Sequence, residues 1–134
     1  MIIDKYIEIL GQLVEIPSIS SLDSHKDDVV RSAKFVKDLF EDLGLEGKVV
    51  SVENGQPAVL ATTAFDPKKK TVLLYAHHDV QPVGEESAWK TEPFTPTITS
   101  GRLYGRGSGD DKAGIVLHYG VIDKLIKSLP VNIK

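Results

Sequence analysis

Apolar residues recur at two spacings along this chain, and the switch between them separates helical from extended segments. Ile3, Tyr6, Leu10, Leu13 and Val14 fall three to four residues apart, the stripe of an amphipathic helix, and Pro17 ends it. Val29, Ala33, Val36, Phe40 and Leu43 form a second stripe, predicted to start after Ser24 and stop at Gly44. Ile115, Tyr119, Ile122, Ile126 and Leu129 form a third, closed by Pro130. Between the second and third lies strand material. Lys48 to Val52 and Ala58 to Phe65 are rich in Val and Thr, with Asn54-Gly55 as the turn between them. Asp66-Pro67 and the three lysines after it read as a solvated turn rather than an anion site. Val72-Leu73-Leu74-Tyr75-Ala76 is an unbroken apolar run and predicts a strand covered on both faces. Residues 80–101, with Pro82, Pro93 and Pro96, predict a long irregular excursion. Leu103 and Tyr104 suggest a short strand, and Val131 to Lys134 the opening of another. Helices alternating with strands give an α/β fold, a mixed β-sheet flanked by helices.

Composition narrows the function classes. A chain of 134 residues suits one domain with a real core, and 41% hydrophobic with 26% charged residues is ordinary for a globular protein. A net charge of -3 lacks the basic footprint of a nucleic-acid binder, so no nucleic-acid partner is expected. With no cysteine, any metal must be held by His, Asp or Glu. Neither a signal peptide nor an apolar run of the ~18 residues that cross a bilayer is present in the sequence, so no membrane partner and a cytoplasmic location are expected.

Two clusters carry the candidate chemistry. His77-His78-Asp79 follows the apolar run, and in extended backbone alternate residues share a face, so His77 and Asp79 point together while His78 points away. A carboxylate beside an imidazole can take one ring N–H and leave the other nitrogen for a metal. The plainer reading is a hydrogen-bonded polar strand end. The second cluster, Gly105-Arg106-Gly107-Ser108-Gly109-Asp110-Asp111-Lys112, stands before the third helix. Its adjacent carboxylates repel unless a cation compensates them. Ala113 after Lys112 breaks the Walker pattern, and glycines at 105, 107 and 109 miss the Rossmann spacing, so a phosphate cradle is rejected. For Asp111 alone, an acidic residue favoured by the helix dipole is the competing reading. Ligands of open α/β sheets sit beyond the C-terminal strand ends, where both clusters fall.

Taken together, Tyr75-Ala76-His77-His78-Asp79-Val80-Gln81-Pro82, Trp89, Pro93-Phe94, Gly101 to Ser108 and Asp110-Asp111-Lys112 resemble the co-catalytic di-zinc peptidases. That family includes carnosinase-type dipeptidases, acetylornithine deacetylase, succinyl-diaminopimelate desuccinylase and carboxypeptidase G; the carnosinase-type branch is the most similar. The resemblance implies that His77 is a ligand of one metal and that Asp110 bridges two. It makes Asp79 the catalytic-site carboxylate that orients His77, and joins Asp111 to Asp110 by a cis peptide. It further implies two divalent ions, zinc with manganese or cobalt as alternatives, and a water activated by them that cleaves the amide of a dipeptide or N-acyl amino acid. The parent enzyme is expected to be a homodimer.

The same resemblance requires a Glu-Glu pair, a further acidic ligand and a distant histidine after Asp111, where only Asp123 is acidic. Glu85-Glu86 precede Asp110 and read as solvated. Residues 1–134 are therefore expected to be the N-terminal portion of the catalytic domain, without the dimerisation domain or the C-terminal half, and inactive alone. The alternative is a short non-catalytic homologue acting as a binding module. Among the remaining residues, His25 reads as exposed, His118 as a satisfied core histidine, and Trp89 and Phe94 as anchors of the excursion. Arg106 pairs with Asp110 or Asp111, or holds its loop.

Overall fold

A computed structural model describes residues 2–134, with side chains from Asp4 onward. The side chain of Ile3 in the first stripe lies outside the described residues. All three amphipathic stripes form helices, α1 (Ile2–Val14), α2 (Lys26–Glu41) and α3 (Lys112–Leu125), the third ending before Ile126 and Leu129 of its stripe, where a 3₁₀ turn over Ile126–Ser128 follows. They meet around Tyr119, whose ring stands edge-on to Tyr6 at 6.1 Å and to Phe40 at 6.2 Å between centroids. Leu13 and Val14 of α1, Val29 and Ala33 of α2 and Ile122 of α3 are almost wholly buried, as their spacing requires. Outside this core, Asp123 accepts hydrogen bonds from the Tyr6 hydroxyl at 2.9 Å and from Lys5 at 3.2 Å, tying α1 to α3.

The helix ends show how local sequence sets the boundaries. Gly44, at φ +87°, lets its own N–H reach Glu41 O and that of Leu45 reach Phe40 O, the paired bonds of a Schellman cap. At the other end, α2 begins later than the Ser24 start, because a 3₁₀ turn over Asp23–His25 precedes it. Here the reading of His25 as exposed is corrected: it is half-buried, with Nδ1 2.9 Å from Asp28 Oδ2. An acidic residue three positions on in the first helical turn gives the ring a partner.

β1 (Glu46–Val50) and β2 (Ala58–Thr62) pair antiparallel with Lys48 opposite Leu60. Both are shorter at their C-terminal ends than the Val/Thr-rich runs predict. The chain turns back at Val52, whose carbonyl receives Gly55 N–H, and Asn54 takes φ +59°. β3 (Thr71–Val72) pairs parallel with β6 (Asn132–Ile133), after the α3 segment. Hydrogen bonds from Asn132 N to Lys70 O, Lys134 N to Val72 O and Leu74 N to Lys134 O extend that ladder. Thr63 joins it to β2, its N–H donating to Ile133 O and its Oγ1 accepting from Ile133 N. Helices and mixed strand pairs thus form the expected α/β arrangement.

The apolar run Val72–Ala76 departs from its expectation: only Val72 falls within a strand, β3. Leu74 and Ala76 pack against the core, but Leu73 is 72% exposed and Tyr75 77%. The segment alternates instead of being covered twice, because among the described residues the core layer lies on only one of its faces. Residues 80–101 also prove more ordered than their prolines suggest. β4 (Thr97–Thr99) and β5 (Arg102–Tyr104) form a hairpin with Thr99 opposite Arg102. Ser100 and Gly101, at φ +51° and +73°, make its two-residue turn, a geometry matched to strand twist.

Candidate metal centre

The segment that leaves β3 runs into His77, His78 and Asp79, and a strap formed by residues 16–20 holds it from behind. Val80 N–H donates to Ser18 O at 2.9 Å, and Ile19 bridges Val80 in parallel. The Ser18 and Ser32 hydroxyls both donate to the His78 carbonyl, at 2.6 and 3.2 Å. Ser18 and Ser32 are fully buried, so these bonds form where water does not compete.

On that frame His77 and Asp79 turn to the same side, as alternation requires. His77 Nδ1 lies 3.2 Å from Asp79 Oδ1 and 3.1 Å from the Asp79 carbonyl. Its Nε2 lies 3.1 Å from Asp110 Oδ1. The ring thus stands between two carboxylates. Burial acts to lower the His77 pKa, but the Asp79 carbonyl, the Asp110 hydrogen bond and both negative charges outweigh it and raise the value. His78 points the opposite way, with Nε2 3.0 Å from Pro57 O and Nδ1 buried without a hydrogen-bond partner. Burial lowers its pKa, and the ring stays neutral.

The second cluster is shaped by its glycines. Gly105 takes φ +157° and Gly107 +87°; a Cβ on Gly105 would lie 2.5 Å from Val14 Cγ1, and on Gly107 2.8 Å from Val80 Cγ1. The turn therefore packs directly on the end of α1 and on the segment that carries the first cluster. Asp110 and Asp111 are joined by a cis peptide, as the resemblance implies. The side chain of Asp110 is 93% exposed, leaving an oxygen free beyond its contact with His77. Asp111 occupies the N-cap position of α3 without a side-chain capping bond; instead its Oδ2 accepts the His77 backbone N–H at 3.3 Å. The two clusters consequently meet through the side chain and the backbone of one residue.

Lys112 is the residue the sequence patterns undervalued. Its side chain is fully buried, and its ammonium donates to the carbonyls of Leu13 and Ile16, both at 2.7 Å. Burial pulls its pKa down to about 8, against a raising influence from Asp79. The lysine follows two aspartates at a helix start, and nothing in its sequence neighbourhood marks it as core. Arg106 donates to the carbonyls of Pro82 and Val83 and lies over the Trp89 ring at 5.0 Å, while Trp89 Nε1 donates to Val83 O. Of the readings for Arg106, the structure selects loop holding, without an acidic partner among its hydrogen bonds. Trp89 anchors the excursion, and Glu85 and Glu86 are exposed. His118 is satisfied, with Nε2 2.9 Å from Tyr75 O, but half-buried at a rim rather than in the core.

A cleft of about 480 Å³ opens beside the site, lined by apolar side chains of α2, β2 and α3, with His77, His78 and Asp79 at one end. The donor set suits a divalent cation in kind. An imidazole whose far nitrogen faces a carboxylate, with a second carboxylate at its near nitrogen, is the chemistry such ions take up. Among the described residues no group of three or more His, Cys, Asp or Glu is placed to hold a metal ion.

Residues 73–134 match the model of peptidase family M20/M25/M40. The chain belongs to this family. The Cys-Gly metallodipeptidase DUG1 of Candida albicans is 42% identical, over 96% of this chain and 30% of that protein. The beta-Ala-His dipeptidase of Rattus norvegicus is 32% identical, over 98% of this chain and 30% of its own length. Among solved structures, the dipeptidase Dug1p of Saccharomyces cerevisiae superposes with a TM-score of 0.86 and 32% identity, covering 97% of this chain and 30% of that one. Human carnosine dipeptidase 1 gives 0.84 and 30%, with 97% and 30% coverage. The chain spans about 30% of the length of these M20-type relatives. Among the described residues no helix is long and apolar enough to cross a membrane.

Proposed function

We propose that this chain contributes one part of the metal centre of an M20-type dipeptidase, with His77 and Asp110 as metal ligands and Asp79 as the carboxylate that orients His77. The observation that carries this reading is the His77 ring held between Asp79 at Nδ1 and Asp110 at Nε2. With its Nδ1 proton held by Asp79, the imidazole would offer Nε2, and the exposed Asp110 carboxylate its oxygens, to divalent ions. Divalent ions at such a site, zinc or alternatively manganese or cobalt, supply Lewis acidity toward an amide carbonyl and lower the pKa of water. The chain's own residues fix the donors: the strap behind His78 sets the backbone, and Asp111 receives the His77 N–H. Relatives named as Cys-Gly and beta-Ala-His dipeptidases favour a dipeptide as substrate, with an N-acyl amino acid as the wider class. The proposed setting is a cytoplasmic homodimer of the longer protein.

Catalytic zinc takes about three protein ligands and a water. His77 and Asp110 supply one donor each to a first ion, so this chain alone should bind metal weakly and hydrolyse no peptide. Isothermal titration with zinc, manganese and cobalt tests this. The expected result is weak binding lost in both His77→Ala and Asp110→Ala. Submicromolar affinity dependent on His77 would show the donor set to be larger than proposed. Binding indifferent to both substitutions would remove the metal reading and favour a non-catalytic binding module.

A further inference from the structure

We propose that Ser20 is a positioning residue of this metal centre, fixing the rotation of the Asp79 carboxylate and through it the proton position on His77. This rests on the metal reading of His77 and Asp110 above. Asp79 has two oxygens with two distinct tasks. Oδ1 faces His77 Nδ1, and Oδ2 accepts the Ser20 hydroxyl at 2.5 Å. Without that second bond, a carboxylate more than a third exposed turns freely about its last torsion, which is broad for an sp³–sp² bond. With it, Oδ1 is left pointing at the imidazole.

The hydroxyl can do this because its own backbone is held from three directions. The Gln56 side chain donates to Ser20 O at 2.8 Å. Ser18 and Ile19, immediately before it, are bonded or bridged to His78 and Val80. At the start of the strap the Lys112 ammonium donates to Ile16 O, and Lys112 follows Asp110 and Asp111 in the other half of the site. The strap therefore touches both clusters, and Ser20 is where it reaches a side chain next to a proposed ligand.

His77 has competing acceptors for a single proton in its neutral form. Asp79 at Nδ1, through its backbone carbonyl at 3.1 Å and its Oδ1 at 3.2 Å, favours the tautomer that leaves Nε2 bare for a metal; Asp110 at Nε2 favours the reverse. Ser20 strengthens the Asp79 side of that competition by keeping the negatively charged Oδ1 beside Nδ1, where the carbonyl would otherwise stand alone. A hydroxyl that only stabilised the loop would not affect which ring nitrogen carries the proton.

The test is long-range ¹H–¹⁵N correlation NMR of the His77 ring in this chain, metal-free at alkaline pH and then titrated with zinc, comparing wild type, Ser20→Ala and Ser20→Thr. The Nδ1–H tautomer should dominate in wild type, shift measurably toward Nε2–H in Ser20→Ala and return in Ser20→Thr. Zinc affinity at His77 should fall about ten-fold in Ser20→Ala, the low end for residues that support a ligand, and recover in Ser20→Thr. An unchanged tautomer in a folded Ser20→Ala overturns the proposal. If zinc leaves His77 untouched in wild type, the metal reading fails, while the metal-free tautomer comparison still decides the role of Ser20.

Discussion

Replacing Lys112 by methionine tests whether the strap is held by a buried charge. The ammonium sits in a fully buried position and donates to Leu13 O and Ile16 O, both at 2.7 Å. Each bond from a charged donor contributes roughly 1.5–3 kcal/mol. Against this stands the cost of burying the charge, visible as a pKa of about 8 rather than 10.5. That depression corresponds to about 3 kcal/mol at neutral pH. Neither carbonyl is orphaned in the variant, because Leu13 O also receives Ile16 N–H and Ile16 O receives Ser18 N–H. Lys112→Met should therefore destabilise the fold modestly near neutrality, by about 0–3 kcal/mol once the opposing contributions are set against each other.

The sign of the pH dependence is more discriminating. Between the folded value of about 8 and the unfolded value of 10.5, the unfolded chain holds the Lys112 proton and the folded chain has released it. Stability conferred by this site must then rise with pH through that window, opposite to a lysine in an ion pair. Wild type should gain about 2 kcal/mol relative to Lys112→Met between about pH 7 and pH 9.5. Lys5 and Lys37, whose pKa values are raised, act in the reverse direction at higher pH, but they are common to both proteins and cancel in the difference. Urea unfolding followed by the single tryptophan, Trp89, at the two pH values gives the comparison. A wild-type advantage that shrinks or stays flat as pH rises would refute the buried-ammonium account.

Three further outcomes follow from contacts of single residues. Gly114→Ala should lower the melting temperature despite the better helix propensity of alanine, because its Cβ would lie 2.4 Å from Asp111 Oδ1 and push that carboxylate off the His77 N–H. Gly107→Ala should cost roughly 2 kcal/mol or more in urea unfolding, from a left-handed backbone and a Cβ 2.8 Å from Val80 Cγ1. The Asp123 pKa is lowered by the Tyr6 hydroxyl and then by Lys5, so its contribution is present above its ordinary range near 3.8 and lost as pH falls below it. Asp123→Asn should accordingly flatten the acid limb of the stability profile, read by circular dichroism from about pH 5 to pH 2.

The helices were legible because their apolar spacing and their burial are the same fact seen twice: Leu13, Val29, Ala33 and Ile122 fall on their stripes and are almost wholly buried. Gly44 and Asn54 were legible for a related reason, since the backbone there needs the positive φ these residues tolerate. His77, Asp79 and Asp110 were singled out from alternation along one segment and from a turn before a helix, and the structure brings both carboxylates to the one imidazole. What sequence could not supply was anything decided by a second layer. The run from Val72 to Ala76 contains no polar residue, yet Leu73 and Tyr75 are exposed, because coverage belongs to whatever packs on the strand and not to the strand. The Thr97–Thr99 strand was hidden by the prolines before it, since pairing across Ser100-Gly101 depends on a two-residue turn rather than on an apolar run.

Ser18, Ser20 and Lys112 were missed for a different reason, and it bears on how the site is built. Each is a polar residue beside an ordinary loop or helix boundary, where hydroxyls and ammonium groups usually face water. Their role appears only when Ile16–Ser20 is seen lying against Val80 while Lys112 reaches back to the end of α1. Residues nearly a hundred positions apart then share one set of hydrogen bonds, half-buried where it holds Asp79 and buried where it holds the turn after Asp110. The proposed ligands are short-range features of sequence, but their relative placement is not. If that placement depends on the strap, Lys112→Met and Ser20→Ala should perturb the His77 ring in the same direction, and the double variant should show less than the sum of the two, as coupled residues do. Additive effects would mean that the ammonium acts on the ring independently of Ser20, and an unchanged ring in Lys112→Met that it stabilises the fold without reaching the site.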